Sequence, residues 1–350
     1  MMSEPQDSSR ARHHTPVKLS HRRSRGEVLA VCLALAAVLG ALLCNPLRTL
    51  TSLSQVSEHP LYVMRYYGLY APDLLMRTGA EQAIYDRVRQ LSLPQACTCF
   101  AGLSPEGEMV FGRNFDWYEH PALLLFTDPP NGYASVSMVD IYYLGYDGEG
   151  PSEIDRAALL LAPYLPADGM NEAGLAVGMM AVPHARDAAE PNKVTIDSLR
   201  AIRMLLDHAG STDEAISLLQ KYNISFTDPP IHYLISDSSG RSAVVEFIDG
   251  EMSVISNDQR WQVATNFLVS EIQPVGANSP CERYSLAYQA LAAAGGSVSQ
   301  TEAMAILQRV SSPNTVWSAV YDMTTGEIQL VMGRNYDEVH TFQMGLEKNR

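Results

Sequence analysis

An α+β fold, with sheets stacked between helical layers, is the architecture this sequence predicts. Three observations predict it. Alternating apolar stretches cut by Gly- and Asp-containing turns read as antiparallel strands. Four segments with helical character fall into two pairs. The order along the chain is strands, two helices, strands, two helices, strands, which gives each helix pair a sheet face to cover. With 350 residues, 46% of them hydrophobic, the chain can bury the core of one large domain or two ordinary ones.

The elements follow in order. Residues 1–26 hold Arg10, Arg12, Lys18, Arg22, Arg23 and Arg25 against Glu4 and Asp7 and read as a disordered basic tail. The total charge of −14 therefore leaves a markedly acidic body, which excludes nucleic acid as a partner because its binding needs clustered Lys and Arg. Residues 27–45 contain "VLAVCLALAAVLGALLC", Val28 to Cys44, a run without charge. At about 1.5 Å per residue it spans roughly 25 Å, the short end of a membrane helix. With an arginine-rich leader held in the cytoplasm, it reads as a signal anchor with the body exported; a cleaved signal peptide is the rival. Residues 46–96 read as a partly helical propeptide or linker, with a helix in "GAEQAIYDRVRQL" beside a Tyr-rich patch.

At Cys97 the texture changes. "CTCFAGL" and "EMVFGRNFDW" flank the turn "SPEG" and form a hairpin. "GLAVGMMAV" is a further strand, entered through "DGMNEAG". "TIDSLRAIRMLLDHA" and "STDEAISLLQKY" are two helices with Thr195 and Ser211 as capping residues. "HYLISDSSGRSAVVEFIDGEMSVIS" alternates strands with tight turns. "CERYSLAYQALAAAG" and "SQTEAMAILQRV" form the second helix pair, and "TVWSAVYDMTTGEIQLVMG" closes the chain as a hairpin.

The chemistry centres on Cys97. A cysteine becomes a strong nucleophile when a base or a positive field makes the thiolate. H-E-x-x-H, G-x-S-x-G and phosphate-loop patterns are absent, and Cys97 with Cys99 lacks the further ligands a zinc site needs, so no metal or cofactor is expected. One base needs no second side chain. If the Ala96–Cys97 bond is cut, Cys97 gains an α-amine, with a pKa of about 7.7 to 8 in model compounds, beside its own thiol. A carboxylate would hold that amine and a guanidinium would favour the thiolate.

"CTCFAGLSPEGEMVFGRNFDW" resembles the opening of the choloylglycine hydrolase and penicillin V acylase superfamily. These are N-terminal-nucleophile (Ntn) amidases that also include acid ceramidase and N-acylethanolamine acid amidase. The family's Gly-Arg-Asn-x-Asp box is matched by Gly112, Arg113, Asn114, Phe115 and Asp116. "MNEAGLAVGMM" resembles its Asn-Glu-x-Gly-Leu segment and "HYLISDSSGRSAVVEF" its central hairpin. "VATNF" supplies Asn266 and "NSPCERYSLA" supplies Arg283. The likeness runs from Cys97 to about Phe342, five boxes in the family's order.

The resemblance implies a four-layer αββα Ntn hydrolase sandwich over 97–345, preceded by the N-terminal membrane segment. It implies a self-processing linear-amide hydrolase that passes through a thioester acyl-enzyme, with an N-acyl amide as small-molecule substrate. Cys97 would attack the carbonyl, Asp116 would hold the α-amine and Arg113 would sit beside the thiol. Asn266 would donate to the oxyanion, and Arg283 would complete the polar side. Relatives carry an asparagine where this chain has Met179, Met180 and Ala181, so a backbone N–H at Ala181 is the candidate second oxyanion donor. Acyl transfer and an inactive binding protein of the same fold are the alternatives.

Three further expectations concern packing. Cys99 and Cys281 either pair as a disulfide or pack as free thiols. Met170, Met179 and Met180 line an acyl pocket or belong to the core. Arg113 and Asp116, an odd step apart on a strand, need a bend after Gly112 or Asn114 to act together.

Overall fold

The structure, a computed structural model, describes residues 40, 44–70, 96–117, 120–148, 150–152, 154–187, 190–226, 229–272 and 279–345. The chain divides into two units, 1–43 and 44–350, and the described fold is that of the second. The basic tail, nearly all of the apolar run and the helix expected in "GAEQAIYDRVRQL" lie outside the described residues. Among the described residues no helix is long and apolar enough to cross a membrane.

Two sheets form the body. The first has nine strands: β1 (Ser54–Gln55), β2 (Leu61–Arg65), β5 (Ala122–Thr127), β6 (Ser135–Asp140), β7 (Pro166–Asn171), β8 (Leu175–Ala181), β11 (Ile231–Asp237), β12 (Ser242–Ile248) and β13 (Glu251–Ser256), in that spatial order. The second has six: β14 (Gln262–Ala264), β3 (Thr98–Leu103), β4 (Met109–Asp116), β15 (Thr315–Asp322), β16 (Glu327–Met332) and β17 (His340–Gln343). A short parallel pair, β9 (Val194–Asp197) and β10 (Tyr222–Ser225), stands apart.

Strand alternation builds the layers. From β4, β8 and β11, Phe111, Met180 and Leu234 point into one apolar layer between the sheets. From β8, β11 and β12, Val177, Tyr233 and Val245 point the other way, onto α1 (Ser198–His208) and α2 (Thr212–Leu219). Val110 and Val320 leave the second sheet toward α3 (Glu282–Ala293) and α4 (Gln300–Arg309). Helices, nine strands, six strands, helices is the expected sandwich order.

Local signals place the turns and caps. Asp249 and Gly250 both have positive φ, 52° and 84°, as a two-residue hairpin turn between β12 and β13 requires. Ser211 caps α2 by accepting from the Glu214 N–H, as expected. The cap of α1 is Asp197, whose carboxylate accepts from Leu199 and Arg200; Thr195 lies inside β9. A carboxylate immediately before the first turn meets the free N–H groups that Thr195 is too far upstream to reach.

The described part of segment 46–96 is built into the body. β2 pairs in parallel with β5, from Leu61 opposite Ala122 to Arg65 opposite Phe126. Leu61 and Met64 are fully buried. Farther on, the Tyr70 hydroxyl donates to Asp207 of α1 at 2.9 Å, and Asp207 is paired with buried Arg203 at 2.7 Å.

Candidate active site

Cys97 sits just before β3, where the six-stranded sheet ends, and is 4% exposed. Its backbone is held on both sides. The Cys97 N–H donates to Asn266 Oδ1 at 2.5 Å, and its carbonyl accepts from Arg283 Nη1 at 2.6 Å. Arg283 also donates to Thr98 Oγ1 at 3.0 Å and, through Nη2, to Asn266 Oδ1 at 2.9 Å. The Asn266 Nδ2 group donates to the Ala181 carbonyl at 2.8 Å. Two predicted residues from distant stretches, Asn266 and Arg283, thus converge on the cysteine backbone, and Ala181 joins them through its carbonyl oxygen.

Arg113 comes from β4, opposite Cys99 in the hairpin register, and is fully buried between the sheets. Its Nε donates to Asp168 Oδ2 at 3.4 Å. Burial disfavours the cation, but Cys97, Cys99 and Asp168 around it outweigh that and hold the guanidinium above its ordinary value. Burial likewise pushes the Asp168 carboxyl up, against Arg113, Tyr321 and Trp317, which favour its charged form. Tyr321 and Trp317 donate to it at 2.5 and 3.2 Å, so three donors fix this counter-ion.

Asp116 ends β4, fully buried. It accepts from Thr315 Oγ1 at 2.5 Å and lies 3.8 Å from Arg283 Nη1. In the uncut chain the Cys97 nitrogen has one proton, and Asn266 takes it. Burial raises the Asp116 carboxyl to about 6, despite the opposing pull of Thr315, Arg283 and Arg113.

No bend of β4 is needed to bring Arg113 and Asp116 into one site. The irregularity is in β15, where a register shift falls between Thr315 and Trp317 while β4 runs on. Arg113 reaches the site from the inter-sheet face. Asp116 is met at the strand end by Arg283 of α3.

Cys99 and Cys281 are both free thiols, so the disulfide is not formed. Cys99 lies in the inter-sheet layer, while Cys281 packs on the outer helix layer. Burial pushes the Cys99 thiol up to about 12, only partly offset by Arg113, so it remains protonated at neutral pH. Its sulfur faces Gly178 of β8, where an added Cβ would stand 2.8 Å from Sγ. Met170 and Met180 are fully buried core residues, which answers the pocket reading for those two; Met179 is half-buried.

Sequence reasoning missed Asp168, and with it Trp317 and Tyr321. It also missed His232 of β11 and Glu246 of β12, two fully buried ionisable residues 3.3 Å apart on adjacent strands of the first sheet. The available signal was a charged or imidazole group at an inward position of an apolar strand, as in "IHYLI" and "VVEFI".

Residues 97–268 match the family model of linear amide C–N hydrolases, choloylglycine hydrolase family. A penicillin V acylase of Pectobacterium atrosepticum is 30% identical over 191 residues, 49% of this chain and 49% of that protein. The chain thus spans about half the length of that curated relative. Among solved structures, a mutant conjugated bile acid hydrolase from Clostridium perfringens superposes with a TM-score of 0.52 at 19% identity, over 71% of this chain and 92% of that one. Penicillin V acylase from Agrobacterium tumefaciens gives 0.50 at 20% identity, over 72% and 88%. At such identities these structures establish the fold alone. It is through residues 97–268 that the chain is similar to the linear amide C–N hydrolases of the choloylglycine hydrolase family.

Proposed function

We propose that the protein is an exported, self-processing cysteine amidase that hydrolyses a linear, non-peptide C–N bond of an N-acyl substrate. The observation that carries this reading is the convergence of Asn266, Arg283 and buried Arg113 on a cysteine at the start of a strand. The match to the family model over residues 97–268 and the penicillin V acylase relative support the bond type. Residues 28–44 would anchor the protein, with the body outside the membrane.

Cleavage of the Ala96–Cys97 bond frees the α-amine. The amine takes the thiol proton, and the sulfur attacks the substrate carbonyl beside the positive charge of Arg113. Asn266 has two Nδ2 protons; one is given to the Ala181 carbonyl and the other serves the developing oxyanion. The Ala181 N–H is the second candidate donor. Asp116, which also pairs with Arg283, balances the positive charge of the protonated amine. Collapse expels the substrate amine with a proton, leaving a thioester that water cleaves.

Mass measurement and N-terminal sequencing test this. Wild-type protein should yield a fragment whose first residue is Cys97, active on a panel of acyl amides. Cys97→Ala should stay at the intact 38.4 kDa and be inactive. Active protein in which sequencing reads through position 97 from upstream refutes the proposal.

A further inference from the structure

Asn266 sits on a turn, between β14 and a short helical turn at Val269–Glu271. Loops are mobile by default, yet this one must hold a carboxamide in one orientation. The fastening comes from the other sheet. His232 Nε2 donates to the Thr265 carbonyl at 2.7 Å, on the residue before Asn266. Its Nδ1 lies 3.3 Å from Glu246 Oε1. Glu246 in turn accepts from the Val269 N–H at 2.5 Å and from the Ser270 hydroxyl at 2.6 Å, just after Asn266.

We propose that the buried His232–Glu246 pair is the positioning device of the active site, clamping the turn on both sides of Asn266 so that its carboxamide faces the Cys97 nitrogen. Both residues are fully buried on the paired strands β11 and β12, one step past the pair Tyr233 and Val245, and His232 is opposite Met180 in β8. The Ala181 carbonyl that receives Asn266 Nδ2 is the next residue of that strand. One end of the nine-stranded sheet therefore grips both the turn and the side chain. Burial works against the Glu246 charge, but donors from His232, Ser270 and Val269 outweigh it and keep the carboxyl below its ordinary range. A carboxylate so satisfied is costly to replace, because a carboxamide there turns a donor toward donors.

The catalytic part of this inference rests on the proposed amidase activity, so two readouts are needed. The first needs no activity. In uncut Cys97→Ala protein, amide hydrogen exchange at position 97 reports its bond to Asn266. Glu246→Gln should speed exchange there and at Val269 and Ser270, and Asn266→Ala should speed it at position 97 alike. The second is a double-mutant cycle on turnover. Glu246→Gln should lower kcat about 10- to 100-fold with KM little changed, less than the about 100- to 1000-fold typical of losing an oxyanion donor outright. Adding Glu246→Gln to Asn266→Ala should cost nothing more, whereas a merely structural role would make the losses multiply. His232→Gln, which keeps a donor for Thr265, should recover part of what His232→Ala loses. Unchanged exchange at position 97, or losses that multiply, overturns the clamp. Wild-type protein that is uncut and inactive sinks the amidase reading and leaves the exchange result to decide the clamp.

Discussion

Replacing Asp116 by asparagine in the uncut Cys97→Ala protein should stabilise the fold at neutral pH. The carboxyl is fully buried, and burial moves it from its ordinary 3.8 to about 6. Folding therefore favours its protonated form. The stability it contributes is fully present below about pH 4 and is lost as pH rises through about 6. At about 1.4 kcal/mol per pH unit, the charge costs the fold about 3 kcal/mol once it is ionised. Asparagine keeps an acceptor for Thr315 Oγ1, the carboxylate's 2.5 Å partner, and carries no charge. Urea unfolding at pH 4.5 and pH 7.5 measures the difference. The variant should gain about 2 to 3 kcal/mol over its parent at pH 7.5 and much less at pH 4.5. Equal effects at both pH values, or a loss at pH 7.5, would refute the argument that Asp116 is a strained charge.

Asp168→Asn should destabilise the protein by about 3 to 5 kcal/mol in urea titrations, because it strands the fully buried Arg113 cation. Gly178→Ala should cost about 1 to 3 kcal/mol by overpacking the inter-sheet layer, and Cys99→Ala in the same chain should relieve it, read as Tm. Tyr70→Phe should cost about 1 kcal/mol, by leaving Asp207 short of one donor, and should loosen residues 44–70 in hydrogen exchange.

The fold was legible because its alternation is clean. "HYLISDSSGRSAVVEF" shows in sequence both faces of two strands that the structure divides between two apolar layers. Cys97, Asn266 and Arg283 were legible through motif order, which locates residues without giving their contacts. Asp168 was not, because it shares an inward row with Met170, and its partner Trp317 is 149 residues away. Composition could not say that Glu246 serves a turn two strands later. Nor could it reveal β2, a five-residue strand inside a Tyr-rich stretch whose partner lies beyond the catalytic hairpin.

That strand decides what a truncated gene would produce. The upstream chain supplies the neighbour of β5, whose "ALLLFT" is buried along its whole length. A polypeptide begun at Cys97 would leave Leu61 and Met64 behind and bare an apolar sheet margin to other copies of itself. Expression from position 97 should thus give aggregates, and co-expression with residues 44–96 should restore soluble material. If the proposed nick arms the cysteine, it would leave two pieces still zipped together, with any membrane tether riding on the smaller one.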